Sequence, residues 1–237
     1  MLTKNQMIEN KIEAFLDLVI NNKKFNSSFS IKSHRKENTS HENLEIMQPI
    51  EEFNQRFKNG LNEILIWLNQ YNPLYKEMIL TKFRQVTFLE KTELEARMEH
   101  SIHLSEFFDL PDEVFHECTK AADSFFLNKN YAISADCFYF LCILNPYIYS
   151  LWLKYAYSEQ VLNHLTSALH AYAIASLMNA EDPTPHYFSA QCYQKTRDIS
   201  TAIEALDLAT QARCEGENSR KIKELARQMQ QKLKLEK

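Results

Sequence analysis

The feature that most narrows what this chain can fold into is a period of 34 residues, seen when the sequence is shifted against itself between about Phe115 and Arg213. Ala122, Ala156 and Ala190 share one column, and Ser134, Ala168 and Ala202 a second. Phe138, Tyr172 and Leu206 form a third, and Leu141, Ala175 and Ala209 a fourth. A fifth column, Phe125, Glu159 and Tyr193, is broken by its middle member. Small residues matched with small ones let two antiparallel helices approach closely. The large residue that follows fills the space toward the next pair. One such unit buries only part of its apolar surface, so several must stack.

Helix-turn-helix units of this length and column pattern are tetratricopeptide repeats (TPRs). The fold class expected is therefore all-α, with three tandem TPR helix pairs at about 111–146, 147–181 and 182–214. Pro111 opens the first helix, which runs to about Leu127, and Tyr131 to Leu144 form its partner. The second pair covers about Tyr147 to Val161 and Leu165 to Met178. Asp182-Pro183 reads as an N-cap followed by a first-turn proline, opening a helix to about Lys195, and Ser200 to Arg213 complete the third pair. Residues 217–237 follow Gly216 as a C-terminal capping helix, with Ile222, Leu225, Met229 and Leu233 on its inner stripe.

The first half does not repeat. Residues 1–25 form an amphipathic helix with Ile8, Ile12, Phe15 and Val19 on one stripe, and residues 26–48 read as a flexible polar linker. Residues 49–110 are a helical N-terminal region. Within it Pro49 opens a helix through Phe53, Phe57, Leu61, Ile64 and Leu68, and Pro73 opens another. Thr92-Glu93-Leu94-Glu95 resembles a capping box, with Met98 and Ile102 turned inward behind it.

Composition removes several alternatives. Only 2 glycines occur in 237 residues, too few for the turns of a sheet protein or a phosphate-binding loop. The 5 cysteines (Cys118, Cys137, Cys142, Cys192 and Cys214) are odd in number and lack a C-x-x-C pair, the usage of reduced core thiols in a cytoplasmic protein. The N-terminus lacks the apolar stretch of a secretory signal, and no apolar run approaches the ~20 residues that span a bilayer, so no stable membrane insertion is expected. A formal net charge of −4 argues against nucleic acid as a partner. No motif for a nucleophile, a cofactor or a zinc enzyme is present, so the chain reads as a binding protein with no catalytic, cofactor or metal site. His100 and His103 lack a third ligand, and His116 and Cys118 point to different helix faces.

The stretch NAEDPTPHYFSAQCY, Asn179 to Tyr193, with TAIEALDLATQAR behind it, resembles the last repeat of the class II chaperones of bacterial type III secretion systems, the SycD/LcrH family. Phe126, Tyr131, Phe138 and FLCILNP match the pattern of the family's first repeat. Trp152-Leu153-Lys154-Tyr155-Ala156 and YAIASLMNAEDP match that of its second. The resemblance covers about Leu110 to Arg213. Members usually carry glycine where this chain has Lys129 and Ala156, and their N-terminal region is shorter. The resemblance implies a cytoplasmic chaperone that keeps a hydrophobic translocator, or another secreted effector protein, soluble and export-competent by taking an extended segment of it into the concave TPR groove. It also implies a homodimer formed through N-terminal helices. The alternative is a TPR scaffold or regulatory component within the secretion apparatus.

In a TPR stack the first helix of each pair lines the concave surface. Residues there that lie outside the packing columns are the candidate peptide contacts: Asp123 and Phe126 in the first repeat, Leu153, Tyr157 and Gln160 in the second, Tyr187, Gln191 and Gln194 in the third. Aromatic and aliphatic walls suit alternate side chains of an extended peptide, and amides suit its backbone.

Overall fold

A computed structural model describes residues 50–86 and 88–235. The helix expected over 1–25 and the linker over 26–48 lie outside the described residues. Within them, regular structure is α-helical throughout: α1 (Ile50–Tyr71), α2 (Pro73–Val86), α3 (Lys91–His100), α4 (Leu104–Phe107), α5 (Asp112–Leu127), α6 (Tyr131–Leu144), α7 (Tyr149–Val161), α8 (Leu165–Met178), α9 (Thr184–Lys195), α10 (Ile199–Gln211) and α11 (Glu217–Leu235). None of these helices is long and apolar enough to cross a membrane. The chain divides into two compact units, and the division falls inside α5 and α6. One unit holds the described residues up to Ser124 together with Tyr139–Pro146. The other holds Phe125–Phe138 and Tyr147 onward.

In the first unit α1 buries Phe57, Leu61, Ile64 and Leu68, spaced by four, three and four residues as one helix face requires. Asn72 closes α1 with its N–H on the Leu68 carbonyl, and Pro73 starts α2 at a position where no amide donor is needed. The α2 ring of Phe83 stacks on Phe108 at 4.0 Å between centroids. Two expectations fail here. The N-cap of α3 is Glu90, which makes no side-chain capping bond, so Thr92 lies inside the helix and the capping box does not form. Met98 is buried, but Ile102 is 61% exposed. The reason is that Ser101 is extended (ψ 137°) and ends α3, which breaks the four-residue register from Met98. The short helix α4 then buries Leu104 and Phe107 instead. His103 caps α4 by accepting the Glu106 N–H, and the His100 ring bonds the Ala96 carbonyl, so the two imidazoles serve different helices.

The same unit holds the run Tyr139 to Leu144, in which every residue is buried. A helix apolar on all sides must be covered on all sides. From α1, Phe57 packs edge-on against Phe140 at 4.9 Å, and the Arg56 guanidinium lies over the Tyr139 ring at 5.1 Å. Part of the non-repeating region therefore covers the second half of α6.

The repeats form as helix pairs, and every member of the four main packing columns has no solvent exposure. In the second unit α7 packs on α8 and α9 on α10, while α9 also meets α8 and α7. The final helix α11 repeats this relation by meeting α10 and α9, so it stands where the first helix of a fourth pair would. Its buried residues are Ala226 and Leu233, with Met229 packed beside them, while Leu225 is 44% exposed. The inner stripe is thus Ile222, Ala226, Met229 and Leu233. These four lie closer to one line than a stripe through Leu225, because four residues advance a helix by 40° and three set it back by 60°.

Each helix pair turns on a left-handed residue: Lys129 (φ 60°), Asn163 (φ 65°) and Arg197 (φ 64°). These also recur every 34 residues. At each turn two amides return to the end of the first helix. Lys129 and Asn130 bond the carbonyls of Phe126 and Phe125, Asn163 and His164 those of Gln160 and Glu159, and Arg197 and Asp198 those of Gln194 and Tyr193. This is the Schellman pattern, and it satisfies carbonyls that a helix end otherwise leaves open. The third pair opens as Asp182 suggests: its Oδ1 accepts the Thr184 N–H at 2.8 Å, and its Oδ2 accepts the Tyr149 hydroxyl at 2.9 Å.

Candidate peptide-binding groove

The candidate contact residues fall into three more columns of the 34-residue period: Leu153 and Tyr187, then Asp123, Tyr157 and Gln191, then Phe126, Gln160 and Gln194. Within the second unit the structure joins several of them into one row of rings. Phe126, in the last turn of α5, lies 5.7 Å from Tyr131 and 5.7 Å from Tyr157. Tyr157 on α7 meets Phe188 on α9 at 5.6 Å. The floor beneath them is Phe138, 6.0 Å from Phe126, and Tyr172, stacked on Phe188 at 5.9 Å. Phe138 and Tyr172 are fully buried, whereas Phe126, Tyr131, Tyr157 and Phe188 are half-buried. The rings prefer these tilted and edge-on contacts because the positive edge of one faces the negative face of the next. The result is a fixed apolar wall with its outer rim in solvent.

Phe188 was not among the sequence candidates. The available signal was its spacing: Phe188, Gln191 and Lys195 share one face of α9, as Tyr157 and Gln160 share one face of α7. Tyr187, which was a candidate, contacts Phe188 at 5.3 Å and also packs against the cluster of Ala190, Ala202, Ala205, Leu206, Ala209, Ala226 and Leu233. Part of its ring therefore belongs to the core between α9, α10 and α11. Leu153 and Gln194 are half-buried, and so is Asp123, which belongs to the first unit.

Gln160 is 6% exposed, so it lies under the row and not on its surface. Its Oε1 accepts the Tyr172 hydroxyl at 2.7 Å, and its Nε2 donates to Gln191 Oε1 at 2.9 Å. Lys195 Nζ donates to the Gln160 carbonyl at 3.4 Å. Burial raises the Tyr172 phenol above its usual range, which keeps it a donor. The thiols nearby are inert for the same reason: burial pushes Cys192 up to about 11 and, in the first unit, Cys118 up to about 12. None of the five cysteines forms a disulfide, and four of them are buried.

No family model matches the sequence, and no curated protein matches it. Solved structures do. A type III secretion complex from Aeromonas hydrophila matches over 62% of this chain and 97% of its own, with a TM-score of 0.56 and 16% identity. The CopN-Scc3 complex matches over 72% of this chain and 98% of that one, with a TM-score of 0.52 and 22% identity. The Yersinia enterocolitica type III secretion chaperone SycD, in complex with a peptide of the translocator YopD, matches over 54% and 97%, with a TM-score of 0.51 and 18% identity. Nearly the whole of each solved chain is matched, while a quarter to a half of this one lies beyond the match. The chain therefore has the fold of the type III secretion chaperones that its repeat motifs resemble, and it extends that fold with further residues of its own.

Proposed function

We propose that this protein is a cytoplasmic chaperone of a bacterial type III secretion system. It keeps a hydrophobic translocator, or another secreted protein, soluble by holding an extended segment along the first helices of its repeats. The observation that supports this most is the half-buried row of Phe126, Tyr157 and Phe188, running from the first repeat to the third. Rings fixed by their neighbours lose little entropy when a ligand side chain settles between them, and extended peptides use such alternating pockets. The fold likeness to SycD bound to a YopD peptide supports the same reading. A homodimer formed through the stripe of Ile8, Ile12, Phe15 and Val19 is part of the proposal, and light scattering on the chain with and without residues 1–25 tests it.

Co-purification from the native cell, followed by identification of the bound protein, tests the main reading. Phe126→Ala with Tyr157→Ala should weaken that complex by about 2 kcal/mol or more, because a few aromatic contacts hold most of a binding energy. Glu204→Ala, at an exposed position on α10, should bind as the parent does. Normal binding by the ring pair, together with loss of binding when residues 1–110 are removed, would point to the scaffold role instead.

A further inference from the structure

The hydrogen bonds beneath the ring row run in one direction. Tyr172 has no solvent exposure, and its hydroxyl proton has one acceptor among the described residues, Gln160 Oε1 at 2.7 Å. Reversing the Gln160 amide would strand that buried proton, so the amide is fixed with its oxygen toward Tyr172 and its nitrogen toward α9. Gln160 Nε2 then donates to Gln191 Oε1 at 2.9 Å, which fixes the second amide as well. Gln191 has its carbonyl occupied, and its NH2 has no protein acceptor among the described residues. One turn further along α9, Lys195 spends one N–H on the Gln160 carbonyl, and its others have no protein acceptor among the described residues. Gln191 is half-buried and Lys195 is exposed, so both reach the solvent side of the row.

We infer that the third-repeat end of the groove is a donor-only site, formed by Gln191 Nε2 and Lys195 Nζ, that takes an acidic side chain of the bound segment. Gln160 is its positioning residue: it touches no ligand but decides which end of the Gln191 amide faces outward. The inference rests on the groove reading and adds a chemical preference to it. An ammonium and an amide NH2 one helical turn apart, both held to Gln160, match the oxygens of a carboxylate, and bonds to an ionised acceptor are the stronger kind. A lysine or arginine of the peptide at this point meets the like charge of Lys195.

The test uses the full chain and an array of short random peptides. The parent should enrich peptides carrying Asp or Glu at one fixed distance from an aromatic or aliphatic residue. Gln191→Glu preserves the acceptor for Gln160 Nε2 but turns an oxygen outward. It should bind those peptides about tenfold or more weakly and favour basic ones, as expected for the loss of a charge-assisted bond. Gln160→Glu still accepts from Tyr172 but offers no N–H, so Gln191 turns its own NH2 inward and its carbonyl outward. Peptide preference should then move in the same direction although residue 191 is unchanged. A merely structural role would weaken all peptides alike and reverse no preference. Should Gln160→Glu fail to fold, Gln191→Glu decides alone. Unchanged acidic preference in Gln191→Glu overturns the inference and leaves the groove reading standing. A parent that binds no peptide in the array overturns both.

Discussion

The repeats and the region before them close their cores with opposite materials. The repeats bury two columns of small residues, Ala122, Ala156 and Ala190 and then Ser134, Ala168 and Ala202. Between Ile50 and Leu110 the fully buried side chains include Phe57, Ile64, Leu68, Phe107 and Phe108. Small residues let helix axes come close, and the same small columns recur in each repeat. Their aromatic rings are then free to stand on one face, where Phe126, Tyr157 and Phe188 line up. In the earlier region the rings themselves are the filling, as in the Phe83–Phe108 stack, and no regular face is left over. One architecture generates a repeated surface, and the other only covers what it meets.

The comparison predicts opposite sensitivities. Phe57→Ala empties a site with no solvent exposure and removes the contact with Phe140. It should cost about 3–5 kcal/mol in a denaturant titration. A cost under ~1 kcal/mol there would mean the first unit tolerates voids as a loosely packed cover would. In the repeats the damaging change is the reverse one. Ala156→Trp overfills the α7 column and should cost on the order of 1–3 kcal/mol. If it is as stable as the parent, the close helix approach is not what holds the pair.

The turns should yield a smaller effect of opposite sign. Lys129→Gly and Arg197→Gly relieve side chains held at φ 60° and 64°. Each should raise stability by about 0.5–1 kcal/mol, while Asn163→Gly stays near neutral because asparagine tolerates this conformation. Destabilisation by Lys129→Gly would show that its side chain contributes more than its backbone strain costs.

The smallest expected effect is on acid sensitivity. His170 on α8 and His186 on α9 have their pKa lowered from the ordinary 6.5, in both cases chiefly by burial. The unfolded chain takes up protons near 6.5 that the folded repeats refuse, so stability present above that pH declines as pH falls below it. His170→Gln with His186→Gln should flatten that slope. In the first unit Asp109 is lowered from 3.8, first by its hydrogen bond from Lys82, so its contribution is lost only at more acid pH. Amide hydrogen exchange between pH 7 and 5 should therefore loosen the repeats before residues 50–110. The reverse order would break the assignment.

Much of the repeat architecture could be read from single residues. Matched columns identified the helix pairs because a 34-residue period leaves a trace in every unit, and Asp182-Pro183 marked the α9 start through its capping chemistry. The left-handed conformation of the turns was not read from the sequence because Lys129 and Arg197 are not themselves residues that usually mark it, and their backbone angles show it. Thr92 failed as a cap because α3 already starts at Lys91 behind Glu90, and Ile102 failed as a core residue because the extended Ser101 ends the helix before it.

By itself the sequence determined that this is an all-α chain of three helix pairs closed by an amphipathic helix, because periodicity and residue size are local properties repeated along the chain. Tertiary structure alone decided the rest. Gln160 lies beneath the ring row, Tyr187 is shared with the core against the last helix, and Phe188 completes the row. It also decided that the apolar surface of α6 is met by α1. These assignments turn on which neighbour fills the last few ångströms around a side chain, and that depends on contacts between residues about 30 to 80 positions apart.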